Sequence, residues 1–334
     1  MTTLPQSDVS KSELVIPVLA GTTASGKSST ALALARTWRK MHPNAIEIIS
    51  ADAMQVYCQM DIGTAKPSGA ELAEVAHHLI DVVNPDQPFS VADYVQRAEL
   101  AITDVLARGN IPLVVGGTGF YIRGLVNGLP TVPAADMQVQ QPFWDVFDAQ
   151  GLDPLLTQLE AVSPEDAARS QRNPRRVIRA LEIITRTDKA PKDFPMTVPR
   201  FRYALLALLP SIEMLQPRIC KRVDAMLSQG LVAEVESLLA RYLNQPTALQ
   251  AIGYKEVVNF LQTEITLDAC REDIILGTVQ YAKRQRTWFR KAVREYQPGY
   301  AIAMEALAED VVAEVAAWLE PHLNNLHQHL HSLQ

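Results

Sequence analysis

Apolar positions along this chain come in short unbroken runs, separated by longer stretches in which they recur at helical spacing. Residues 14–20 read LVIPVLA and stop at glycine-containing text. Residues 28–39, rich in Ala and Leu, then read as a helix, so the chain opens with strand, loop and helix. Further strands are predicted at 46–50, 79–83, 111–116 and 204–209, with a helix at 91–108. Strands alternating with helices imply an α/β fold, a parallel sheet with helices on both faces. Between residues 131 and 202 the text becomes Gln-, Asp-, Pro- and Arg-rich with no convincing strand, which predicts a helical insertion between two strands of the sheet. From Ser211 the pattern is helical almost to the end, with interruptions near 244–246, at Leu267 and at 297–299. The expected organisation is a first core part at 14–130, the insertion at 131–202, a largely helical second core part at 203–320, and a solvated tail at 321–334 bearing His327, His329 and His331.

Composition narrows this picture. The 334 residues, 48% apolar and 20% charged, suit a globular chain large enough for two domains and unlike a disordered one. No apolar run approaches the roughly 20 residues of a membrane span, and the first residues, MTTLPQSDVSKSE, lack a signal-peptide design, so a cytoplasmic monomer is expected. Cys58, Cys220 and Cys270, odd in number and widely spaced, suit reduced thiols. Charge is segregated. The total is −6, yet residues 169–202 carry a local +7 and residues 281–294 a local +6 with no acid among them. Such patches are the footprint of a nucleic-acid binder, and in the second Tyr281, Trp288 and Phe289 stand among the cations as candidate stacking platforms. The alternative is a solvated basic helix whose aromatics face a core.

The chemistry-bearing text begins at Gly21, Thr22, Thr23, Ala24, Ser25, Gly26, Lys27 and Ser28, a P-loop pattern set between a strand and a helix. Backbone N–H groups and the helix N-terminus would hold a phosphate chain, Lys27 would neutralise its oxygens, and the Ser28 hydroxyl would reach Mg²⁺. The motif leaves open whether the phosphates belong to a nucleotide such as ATP. The strand at 111–115 ends in Gly116-Gly117-Thr118 rather than in the Asp of an ordinary P-loop ATPase, and a carboxylate appears instead at Asp52, just after the strand at 46–50. Both strand ends fall on the edge of the sheet where open α/β folds bind ligands. A phosphate cradle facing an Asp and a Thr, without a water-activating set, points to diphosphate as a leaving group and to group transfer over hydrolysis.

Eight blocks carry a resemblance: Gly21 to Ser28; Ile49-Ser-Ala-Asp-Ala-Met-Gln-Val-Tyr57; Met60-Asp-Ile-Gly-Thr-Ala-Lys-Pro67; His77-His-Leu-Ile-Asp81; Val115-Gly-Gly-Thr-Gly-Phe-Tyr121; Arg176-Val-Ile-Arg-Ala-Leu-Glu182; Gln250-Ala-Ile-Gly-Tyr254; and Lys283-Arg-Gln-Arg-Thr-Trp288. In this order, over about residues 15–291, they resemble the tRNA dimethylallyltransferase family. The resemblance implies a P-loop NTPase-like core and Mg²⁺-dependent transfer of a dimethylallyl group from dimethylallyl diphosphate to N6 of the adenine beside the anticodon. By that likeness Asp52 is the candidate general base and, with Ser28, a candidate metal ligand; Thr118 supplies a hydroxyl, and Arg222 a cation for the diphosphate. Ala53, Met54 and Gln55 would line the pocket of an extruded base. With Asp52 and Thr118 they join Gln140, Arg175, Arg176, Arg179, Gly253, Tyr254, Lys283, Arg284, Arg286 and Arg290 as candidate contacts to the tRNA anticodon stem-loop.

Residue-level alternatives stand beside these roles: Asp52 as a helix cap or metal ligand only, Thr118 as a cap, Arg222 on a solvated helix face, and His77 and His78 as a strand start rather than acid–base text. Three positions depart from the family pattern. Asp136-Met-Gln-Val-Gln140 places neutral Gln140 where an Arg is usual, Asn173-Pro174-Arg175-Arg176 adds charge, and Ala53 replaces a frequent Ser. A relative acting on free adenine nucleotides, a small-metabolite kinase and a noncatalytic RNA-binding module are the competing functions. The basic patches count against the first, ATP consumption would mark the second, and an Asp52 variant that loses turnover but keeps binding would exclude the third.

Overall fold

The computed structural model describes residues 14–242, 247–297 and 299–332. The predicted break at 244–246 and part of that at 297–299 lie outside the described residues. The chain divides into two compact parts, one comprising residues up to 126 and from 199 onward, the other residues 127–198.

The first part is built on a six-stranded, wholly parallel sheet. In chain order its opening elements are β1 (Val15–Gly21), α1 (Lys27–Met41), β2 (Ile46–Ala51), α2 (Gly69–Glu74), β3 (His77–His78), α3 (Val91–Ala107), β4 (Ile111–Gly116) and α4 (Gly119–Asn127). All six residues of β2 and of β4 are buried, as in a strand covered on both faces, where an unbroken apolar run replaces the two-residue alternation of a half-exposed strand. Strand β3 is shorter than expected. The run 79–83 is not a strand, because Leu79 and Asp81 have φ of 64° and 54° and turn the chain away, leaving one bridge from Val83 to Tyr57. His78 lies on β3 with Nε2 2.6 Å from the buried Glu47 carboxylate, which also accepts from Arg108 and Asn110. That is a structural role, in keeping with the strand-start alternative.

The second part, residues 127–198, holds α5 (Met137–Gln150), α6 (Asp153–Val162), α7 (Pro164–Ser170) and α8 (Pro174–Thr187). It has its own apolar core of Leu155, Leu156, Leu159, Val177, Ile178 and Leu181, with Phe143, Trp144 and Phe147 against it. Asn173 caps α8 by accepting from the Arg176 N–H, and Pro174 takes the first helical position, where its missing N–H costs nothing. This part begins and ends about four residues earlier than the predicted 131–202.

The chain then returns to the sheet through β5 (Arg202–Leu208), α9 (Ile212–Ser228), α10 (Leu231–Arg241), α11 (Tyr254–Gln262), α12 (Leu267–Glu295), β6 (Ala301–Met304) and α13 (Val312–Ser332). The sheet order is β3-β2-β4-β1-β5-β6. Register aligns Ala20 with Gly116 and Ala51 with Gly116, so β1, β4 and β2 end side by side. As far as Ser332, the expected tail is instead the last turns of α13. Leu319, Leu323, Leu326 and Leu330 recur every three or four residues and are buried, which binds that helix to the core. His327 and His331 lie on it with ring centroids 4.3 Å apart. The cysteines are free thiols. Among the described residues no helix is long and apolar enough to cross a membrane.

Candidate active site at the ends of three parallel strands

Gly26 adopts φ 91°, a left-handed conformation that costs a residue without Cβ little, and it hands the chain directly to α1. No side chain caps α1, so its first N–H groups remain available to an anion. Thr22 and Ser25 are fully buried, and their hydroxyl oxygens have no protein partner. In a loop of this shape such hydroxyls fit the oxygens of a phosphate chain. Lys27 donates to the Thr22 carbonyl at 3.1 Å. Burial pushes its ammonium down to about 8; the Asp52 carboxylate opposes that shift and the Arg222 guanidinium adds to it. Burial likewise lowers Arg222, again opposed by Asp52. These three charged groups therefore lie close enough to feel one another's charge, although they come from α1, the end of β2 and α9.

Asp52 stands one residue beyond β2. Its Oδ1 accepts from the N–H of Met54 at 2.9 Å and of Gln55 at 3.4 Å, a local turn that fixes the carboxylate. The residues that follow form a turn and not a helix, so Asp52 is not the helix cap of the alternative reading; Oδ1 is engaged in the turn, and the other oxygen has no protein partner among the described residues. Thr118 follows β4; its N–H donates to Ala51 O at 3.1 Å, and its Oγ1 accepts from the Ala53 N–H at 2.9 Å. Its hydroxyl proton is left to point elsewhere. Gln55 donates to the Thr64 and Ala65 carbonyls, both at 3.3 Å, and accepts from Ser50 Oγ at 3.2 Å, while Met54 is half-buried against the core.

Two further side chains lie beside these groups: Gln285, which the sequence did not single out, and Tyr281, expected as a stacking platform. Gln285, buried on α12, accepts from the Thr23 N–H and donates to the Gly117 carbonyl, both at 2.8 Å, and so ties the P-loop to the end of β4. Tyr281, one turn earlier, has its hydroxyl beside Thr118 and Gln285. Burial, then the Asp52 charge, pushes that hydroxyl up to about 12. Gln285 lies inside the quoted block 283–288, but nothing in helical periodicity distinguishes an inward Gln from a solvated one.

These placements meet family comparison. The sequence model of the IPP transferase family matches residues 55–292, and that described as isopentenyl transferase matches residues 14–89. A tRNA dimethylallyltransferase of Thermus thermophilus is 47% identical over 307 residues, covering 92% of this chain and 98% of the relative. The chain belongs to the tRNA dimethylallyltransferase family. A second relative of that name, from Deinococcus radiodurans, is 42% identical across 83% of this chain and 90% of its own length. Among solved structures, the tRNA isopentenylpyrophosphate transferase of Bacillus halodurans superposes with TM-score 0.65 at 32% identity, covering 95% of this chain and 99% of its own. A eukaryotic dimethylallyltransferase acting on tRNA gives TM-score 0.71 at 28% identity, covering 91% and 77%.

Other positions where the family resemblance implies RNA contacts are distributed unevenly. Arg175 and Arg176 are exposed on α8; Arg175 has no partner among the described residues, and Arg176 reaches only Gln171. Gln140 is on α5, buried, and donates to Glu182 at 2.6 Å. Arg179 and Arg186 pair with the same carboxylate, which burial alone would raise but these hydrogen bonds hold below the usual range. On α12, Lys283 and Arg284 are exposed, whereas Arg290 pairs with Glu305 at 2.6 Å and Arg286 lies 3.7 Å from it. Phe289 is in the core, and the Trp288 ring packs against Gly119, so neither aromatic is an open platform. Tyr254 is fully buried, and Gly253, with φ 95°, starts α11.

Proposed function

We propose that this chain transfers a dimethylallyl group from dimethylallyl diphosphate to N6 of the adenine adjacent to the anticodon of tRNA. The observation that carries the reading is the convergence of Lys27, Asp52, Arg222 and the partnerless Thr22 and Ser25 hydroxyls on one strand edge. The bond between C1 of the allyl group and its diphosphate oxygen breaks, a bond from N6 to C1 forms, and the N6 proton passes to the free oxygen of Asp52. Lys27, Arg222, the P-loop N–H groups and the two hydroxyls take up the charge that grows on the departing diphosphate. The Thr118 hydroxyl and Gln55 orient the base. Ser28 Oγ beside the phosphate cradle, with Asp52 reached through a bound water so that its free oxygen stays open to the proton, fits Mg²⁺, which commonly completes its shell with water and phosphate oxygens. Bound there, Mg²⁺ would neutralise diphosphate charge. Exposed Arg175, Arg176, Lys283 and Arg284 would meet phosphates of the anticodon stem-loop, and such a substrate places the reaction in the cytoplasm.

The test incubates the protein with Mg²⁺, dimethylallyl diphosphate and unmodified tRNA, with AMP as a competing acceptor, and reads the products by mass spectrometry. A C5 gain on tRNA adenosine is expected. Efficient modification of AMP with none on tRNA would overturn the substrate assignment.

A further inference from the structure

The block Met60-Asp-Ile-Gly-Thr-Ala-Lys has no chemistry of its own in the reaction above, yet it lies within reach of two residues that do. Glu234, on the first turn of α10, accepts from the N–H groups of Asp61 at 2.9 Å, Ile62 at 2.8 Å and Gly63 at 3.2 Å. The Tyr254 hydroxyl donates to the same carboxylate at 2.6 Å. Each carboxylate oxygen thus receives two donors, an arrangement that an acceptor-only group satisfies and an amide cannot. The Tyr254 ring fills the space that a side chain at position 63 would need, which is why Gly stands there. Two carbonyls of the loop so held accept from side chains outside it. Thr64 O and Ala65 O accept from Gln55 Nε2, and Thr64 O also accepts from Arg222 Nη2 at 3.4 Å.

We infer that Glu234, with Tyr254, is a positioning residue that holds the loop at residues 61–66 so that its carbonyls aim Arg222 and fix the amide of Gln55. The inference rests on the proposed transfer reaction, because it assigns Glu234 an effect on the placement of two groups given roles there. Glu234 itself touches neither substrate. Its removal should misplace Arg222 against the departing diphosphate and loosen the seat of the base, with little change in the exposed cations that grip RNA phosphates. Misplacement of about 1 Å can cost on the order of 100-fold in rate.

The experiment compares wild type with Glu234→Gln, Tyr254→Phe, Arg222→Gln and the Glu234→Gln/Arg222→Gln double variant, measuring single-turnover transfer, tRNA Kd and thermal melting. Glu234→Gln is expected to lower the transfer rate roughly 10–100-fold, and Tyr254→Phe roughly threefold, with tRNA Kd within about twofold of wild type. The double variant should lose less than the product of the two single losses, because the part of the Glu234 effect that runs through the guanidinium is already gone in Arg222→Gln. Multiplicative losses, or a folded Glu234→Gln protein with wild-type rate, would overturn the inference. Should Glu234→Gln fail to melt cooperatively, Tyr254→Phe decides: a slowed rate at near-normal stability supports positioning, and a normal rate refutes it. Absence of transfer in the wild type would instead refute the reaction itself.

Discussion

At Asp52 one carboxylate serves two purposes, since Oδ1 closes a turn onto Met54 and Gln55 while the other oxygen remains for a proton. Asp52→Asn keeps the acceptor for that turn and removes the base. Single-turnover transfer should therefore fall about 10²–10⁴-fold with tRNA affinity nearly unchanged, and a rate near normal would remove Asp52 from the mechanism. Lys27 makes a prediction in pH. Its ammonium is held down to about 8, chiefly by burial, whereas a bound diphosphate favours the charged form and raises that value. Affinity for dimethylallyl diphosphate should be flat with respect to Lys27 below that pH. Above it, affinity should fall by up to about tenfold per unit, because binding then requires uptake of a proton. Calorimetric titration of wild type against Lys27→Arg checks this, since an arginine stays charged across the range; an equal decline in both would contradict it. The P-loop, Asp52 and Thr118 could be read from strand-end spacing alone. Arg222 could not, being one cation on an amphipathic helix, and its proposed place came from family likeness. Glu234 and Gln285 gave no signal, because a polar residue that meets its partners across 171–173 or 168–262 positions leaves no local pattern.

Elements were legible where burial imposes a pattern on residue type. Strands β1, β2, β4 and β5 stand out as apolar runs because helices cover both faces of the sheet. Strand β3 has only two residues, and the apolar text after it turns at Leu79 and Asp81, so its run of side chains misled. The end of α13 was hidden differently. Its His, Asn and Gln residues read as solvated, while the leucines spaced between them form a buried stripe. Leu326, fully buried, should cost about 2–5 kcal/mol on replacement by Ala, measurable by urea unfolding. A loss below about 0.5 kcal/mol, the range of ordinary surface changes, would restore the view of these residues as a tail.

Across the whole molecule, acidic text outweighs basic, yet exposed cations that form no ion pair among the described residues persist at Arg175, Arg176, Lys283 and Arg284, with Glu213 near enough to Lys283 to feel its charge. Arg286, although in the same run, faces Glu305 and is a poorer candidate. Replacing those four by Gln should lower the log–log salt slope of tRNA binding by roughly 0.7–0.9 per cation, while dimethylallyl diphosphate binding stays near normal. An unchanged slope would mean that these side chains do not meet phosphates. The central claim is that the cradle holds a leaving diphosphate for transfer to an RNA base, and rapid-quench measurement of both products in a single turnover tests it most directly. Diphosphate and dimethylallylated adenosine should appear together, at one rate and in equal amounts, with neither formed when tRNA is omitted. Diphosphate release without tRNA at the same rate would contradict the account and make the site a hydrolase.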